Sequence, residues 1–113
     1  MGFLMQSACS DEWCHFCAPA GASVTLAVVG TVGTVRFASA RYGGKELVAG
    51  APVEEVSFAV QPGRNVLTAV YVFSHGMEGR GRLCERTPDG QTQVLEEDLR
   101  GDNEARGHRI CGV

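Results

Sequence analysis

The sequence predicts an all-β fold: a small antiparallel β-sandwich, or alternatively a small β-barrel, of seven or eight strands behind an irregular N-terminal arm. Three observations carry this expectation. Apolar and polar residues alternate in short runs from Ser23 to the C-terminus, and glycines stand singly or in pairs between the runs. No segment has the length and 3.6-residue period of a helix. The expected division is residues 1–21 as arm and 22–113 as sandwich, one domain for a chain of 113 residues.

The elements follow in order. Residues 23–29, SVTLAVV, set Val24, Leu26 and Val28 on one face. Residues 34–42, TVRFASARY, begin after the GTVG break and stop at Gly43-Gly44, and KELVAG is a short extended piece. Residues 53–60, VEEVSFAV, gather Val56, Phe58 and Val60 on one side, with Glu55 and Ser57 on the other. Residues 65–74, NVLTAVYVFS, differ. Leu67, Ala69, Tyr71 and Phe73 line one face, while Val66, Val70 and Val72 line the second. Two apolar faces predict a central strand covered on both sides, which favours a sandwich over a barrel.

The hairpin after it can be argued residue by residue. In CERTPDGQTQV, Pro88 presets the first turn angle, Asp89 suits the second, and Gly90 takes positive φ. A three-residue loop with a glycine bulge results. The register then pairs Thr87 with Gln91, Leu83 with Leu95, Arg82 with Glu96 and Arg80 with Asp98, so that apolar meets apolar and charge meets opposite charge. A polar loop, RGDNEARG, leads to a last strand around HRICGV. The Arg-Gly-Asp inside that loop is a chance tripeptide.

Composition excludes several classes. The formal net charge is −3, so the surplus of basic residues that a nucleic acid requires is absent. Apolar runs fall well short of the eighteen or so residues of a membrane helix. The start MGFLMQSACSDE lacks the basic region and long apolar stretch of a signal peptide. The expected compartment is therefore cytoplasmic and reducing, with the five cysteines as thiols or metal ligands.

Those cysteines hold most of the chemistry. Trp13-Cys14-His15-Phe16-Cys17 resembles the Trp-Cys-x-x-Cys active site of thioredoxins over five residues. That site requires a strand before it and a helix N-terminus that lowers the first thiol's pKa, and neither pattern surrounds this motif. Cys14-x-x-Cys17 has a complement in His108-x-x-Cys111, and together they offer the four N and S ligands of a structural zinc site. Against that reading, residues three apart in an extended strand point to opposite faces. Cys84 and Cys111 would suit a disulfide if their strands were adjacent. Cys84 also shares a strand face with Arg80, Arg82 and Arg86, which could lower its pKa, although pairing of those arginines with Glu96 and Asp98 is the simpler expectation.

A small-ligand pocket has one set of candidates, Arg41, Tyr42, His75 and Glu78, placed where loops gather at a sandwich end. Only Trp13 and Tyr42 could offer an exposed ring to a sugar. No nucleophile, base and acid stand at a recognisable spacing. The first expectation for function is thus a non-enzymatic domain, without cofactor, that binds a protein partner or itself, with homo-oligomers formed through the N-terminal arm. A zinc-stapled structural domain is the alternative, and a small-ligand or carbohydrate binder the third.

Overall fold

The computed structural model describes residues 14–102 and 105–113. Residues 1–13, which hold most of the expected arm with Cys9 and Trp13, lie outside the described residues. Among the described residues nine strands succeed one another: β1 (Phe16–Ala18), β2 (Ser23–Val32), β3 (Val35–Tyr42), β4 (Lys45–Glu46), β5 (Glu55–Ala59), β6 (Gly63–Phe73), β7 (Arg80–Arg86), β8 (Thr92–Arg100) and β9 (Ala105–Gly112), with one 3₁₀ turn at Gly76–Glu78. They form a five-stranded sheet in the order β1-β9-β6-β3-β4 and a four-stranded sheet in the order β5-β2-β7-β8. The all-β sandwich is thus the observed architecture. No helix among the described residues is long and apolar enough to cross a membrane.

The core lies between the sheets and takes the residues that alternation assigns to it. Val24, Leu26 and Val28 of β2, Val56 and Phe58 of β5, and Leu83 of β7 face Phe37, Leu67, Ala69, Tyr71 and Ile110 from the other sheet. Tyr42 and Phe58 join the sheets near one end, with ring centroids 4.5 Å apart. Leu99 of β8 is fully buried as well.

Strand β6 corrects one expectation. It is central, paired over Thr68–Phe73 with β3 on one edge and over Gly63–Val70 with β9 on the other. Among the described residues only one of its faces is covered: Val66 and Val72 remain 42% and 41% exposed, and Val70 is half-buried. Burial on both faces needs a third layer, and a two-sheet sandwich supplies one cover per sheet.

The β7–β8 hairpin is right at its turn and shifted farther out. Thr87 N–H donates to Gln91 O at 2.9 Å, Gly90 N–H donates to Thr87 O at 2.9 Å, and Gly90 has φ +85°. Arg86 pairs with Thr92 and Cys84 with Val94, as the expected register requires. Two irregularities then displace it, so that Leu83 stands opposite Glu96 and Arg80 opposite Arg100. The expected Leu83–Leu95, Arg82–Glu96 and Arg80–Asp98 pairs do not form. Asp98 instead accepts from Arg100 Nε at 3.1 Å. Each bulge adds one residue to one strand and rotates the residues beyond it, which turns Glu96 toward the interior. Gly90→Ala should lower stability by about 1 kcal/mol, because an L side chain resists positive φ. Urea denaturation, with the midpoint falling at constant slope, is the check.

Candidate functional site

The two ends of the described chain meet at the edge of the five-stranded sheet. β1 pairs parallel with β9, in the register Phe16–Ile110, Cys17–Cys111 and Ala18–Gly112. Phe16 and Ile110 point into the core, so Cys17 and Cys111 share the outer face. Strand geometry begins only at Phe16, and the backbone bends at His15. That bend removes the objection of opposite faces, since Cys14 folds back over Cys17 with the sulfurs 3.3 Å apart. The sulfurs of Cys14, Cys17 and Cys111 all lie within 4.8 Å of one another. Cys14 is buried, and the other two are half-buried.

His108 is not part of this group. On β9 it alternates with Cys111 and points inward, 1% exposed. Its Nδ1 lies 2.9 Å from Glu96 Oε2, and its Nε2 lies 2.8 Å from the Tyr71 hydroxyl. Both ring nitrogens are engaged, so His108 leaves the expected Cys3His set. Gly112 makes no tight turn after Cys111. It continues β9, where a Cβ would collide with the Gln61 carbonyl.

No spacing in the sequence marks the Glu96–His108–Tyr71 relay. Its members come from β8, β9 and β6, so it crosses between the sheets. The His108 hydrogen bond holds the Glu96 carboxyl below its ordinary value near 4.5, against the opposing effect of burial. An ionised Glu96 accepts a hydrogen bond from His108 Nδ1–H. Burial pushes the Tyr71 phenol far above its usual range, which keeps it a hydroxyl donor. Beside Glu96 a cleft of ≈ 230 Å³ opens, lined by His15, Phe16, Leu95 and Glu96. Arg109 Nη2 donates to His15 Nε2 at 2.7 Å along its border.

The ligand-loop candidates are not brought together. Val35 pairs with Phe73 and Arg41 with Thr68, so His75 and Glu78 follow one end of the β3–β6 pair while Arg41 and Tyr42 occupy the other. Roughly seven residues of strand separate those ends, on the order of 20 Å. Tyr42 is buried in the core, where its hydroxyl accepts from Gln61 N–H at 2.8 Å. Cys84 lies in the sheet that does not contain Cys111, which removes the expected disulfide, and both are free thiols. Burial raises the Cys84 thiol despite Arg82 and Arg86 nearby, so those arginines do not activate it.

The outer face of the five-stranded sheet has a distinct composition. Directly paired residues share a face, so Val66 lies beside Arg109, Thr68 beside Arg41, Val72 beside Arg36 and Arg64 beside Cys111. Valines thus run down the middle strand, arginines border them, and the cysteine sulfurs sit at one corner. Among the described residues no carboxylate occupies an outward position of β3, β6 or β9, but Glu46 of the edge strand β4 stands opposite Arg41 and Glu54 lies 4.0 Å from Arg36. Charge alternation in the sequence could have indicated the arginines, but their gathering across three distant strands depends on topology. In comparisons with known proteins the chain matches no family model, no curated protein and no solved structure.

Proposed function

We propose that this chain is a non-enzymatic sandwich that associates with a second copy of itself through the outer face of its five-stranded sheet. The observation that supports the reading is the valine stripe of β6, Val66, Val70 and Val72, bordered by Arg36, Arg41, Arg64 and Arg109. A solvent-facing sheet normally presents polar residues in alternation, and a contiguous apolar patch rimmed by charge is the composition of an interface.

Charge selects the occupant. The chain carries 10 Lys and Arg against 13 Asp and Glu, so with four arginines on this face, and Glu46 and Glu54 beside two of them, the rest of the chain keeps an acidic excess. Face against like face would oppose arginine to arginine. A head-to-tail contact avoids that, and the edge strand β8 offers the matching chemistry, with exposed Val94 and Glu97. Such a heterologous contact closes into a ring or continues as a chain. Separation of His75 and Glu78 from Arg41 and Tyr42 supports the non-enzymatic part of the reading.

Sedimentation velocity from low to high micromolar concentration should show mass above the monomer at low salt, falling as salt rises. Val66→Asp with Val72→Asp should restore the monomer without loss of the folded β signal, and Glu97→Lys should weaken association. A wild-type monomer across that range at low salt overturns the reading. Equal association by the double variant overturns the choice of face.

A further inference from the structure

We propose that Cys111 is the attacking thiol of an internal thiol–disulfide exchange site, whose target is the disulfide sulfur of Cys17. Cys14 and Cys17 are both disulfide-bonded, whereas Cys111 is a free thiol. That bonding departs from the expectation of five thiols or metal ligands, and it withdraws Cys14 and Cys17 from the zinc set. At this corner of the five-stranded sheet one thiol is held against oxidised sulfur, with the sulfurs of Cys14, Cys17 and Cys111 all within 4.8 Å of one another.

The step balances without an outside reagent. Cys111 gives its thiol proton to solvent, and the thiolate attacks Cys17 Sγ. A Cys17–Cys111 bond forms as the sulfur bound to Cys17 leaves as a thiolate, which takes up a proton. One thiol and one disulfide enter and the same are left, so nothing is oxidised or reduced overall.

Strand pairing fits the product. Cys17 and Cys111 are direct partners in the parallel β1–β9 register, and both point to the outer face. Neighbouring strands lie about 4.8 Å apart, inside the roughly 4.4–6.8 Å that separates the Cα atoms of a disulfide. Holding attacker and target in adjacent strands makes the reaction unimolecular, which favours it over attack by a thiol from solution. Cys84 has no such opportunity. It is buried in the other sheet, where burial raises its thiol.

The product also bears on a weak element. β1 has three residues and pairs on one edge only, and so short a strand is marginal by itself. Yet Phe16 and Ala18 are each only 2% exposed and belong to the core. A Cys17–Cys111 bond fastens β1 to β9, so exchange sets whether this edge is held covalently or by packing alone.

The test uses the full chain, purified without reductant and kept acidic, where thiols do not attack. After transfer to about pH 8.5, within the ordinary thiol range, samples are quenched with acid at intervals. Cutting with an acid protease and mapping by mass spectrometry then follow the linkages. A Cys17–Cys111 peptide should rise with time, and faster at higher pH, because only a thiolate attacks. Its rate should not change over a roughly tenfold range of protein concentration, as a unimolecular step requires. Cys111→Ser should abolish the linked peptide, and Cys84→Ser should leave it unchanged. The wild-type time course stands without either variant. Linkage in fewer than about one chain in ten once the mixture is constant overturns the proposal. So does linkage found only between chains, or alkylation of all five cysteines before any reduction, which would leave no disulfide to exchange.

Discussion

A His108→Ala chain should lose about 4 kcal/mol of stability, lowering the melting temperature by on the order of 15 °C. Two costs add. The ring is 1% exposed, so its removal leaves a cavity between the sheets. It also strands the Tyr71 hydroxyl, itself in a residue 1% exposed, and the inward side of Glu96. An unpaired buried polar group costs roughly 1–3 kcal/mol, whereas no buried side-chain nitrogen or oxygen among the described residues now lacks a partner. Tyr71→Phe, which deletes only the hydroxyl, should cost about half as much. A His108→Ala loss below about 1 kcal/mol in urea denaturation would mean that the relay does not join the sheets.

The same relay sets a pH dependence with a definite sign. Because the folded Glu96 carboxyl is held below its ordinary value near 4.5, its contribution is present above that value. It is lost as pH falls through the lowered folded value. Wild-type stability should therefore decline more steeply below pH 4.5 than that of Glu96→Gln, which has no such proton to gain. Parallel acid limbs in the two chains would remove Glu96 as the cause.

Phe37→Ala should cost a further large amount in its own right, about 3–5 kcal/mol. Phe37 is fully buried, and its ring lies 5.2 Å from that of Tyr71. A pair of neighbouring bulky rings does not collapse into the space that one of them leaves. An outward side chain on the neighbouring strand gives the contrast: Val72→Ala, at a residue 41% exposed, should change stability by about 0.5 kcal/mol or less. Denaturation curves of the two variants therefore test which side of the sheet is interior. Similar losses for both would mean that the valine face is covered even in the isolated monomer.

Period and turn chemistry are legible in the sequence wherever they act locally. Val24, Leu26 and Val28, and then Val56, Phe58 and Val60, reveal their inward face by alternation, and all six are buried. Pro88-Asp89-Gly90 specifies a turn that closes with the expected hydrogen bonds. The same reasoning fails beyond the turn, because a bulge is one residue of slippage that side-chain chemistry in either strand barely marks. An unbroken register assigns Glu96 to Arg82 on its neighbour strand, when it belongs to His108 on the other sheet. The double apolar face of β6 is visible too, but the pattern alone does not say whether a second cover comes from this chain or from outside it.

The sulfur cluster divides in the same way. Cys-x-x-Cys and Cys111 are visible as potential ligands, and spacing groups His108 with them because distance along a chain is silent about side-chain direction. Strand alternation sends His108 to the core and Cys111 to the surface, while the bend at His15 brings Cys14 onto the side of Cys17. By itself the sequence determined that this protein is built of short alternating strands around one core, since a two-residue period is a local property of the backbone. Only the tertiary structure decided that β9 inserts between β1 and β6, and with it which sulfurs meet, which histidine is buried and where the arginines collect. The reason is physical: strand order and bulges are chosen by the packing of the whole core, to which every strand contributes and which no single segment encodes.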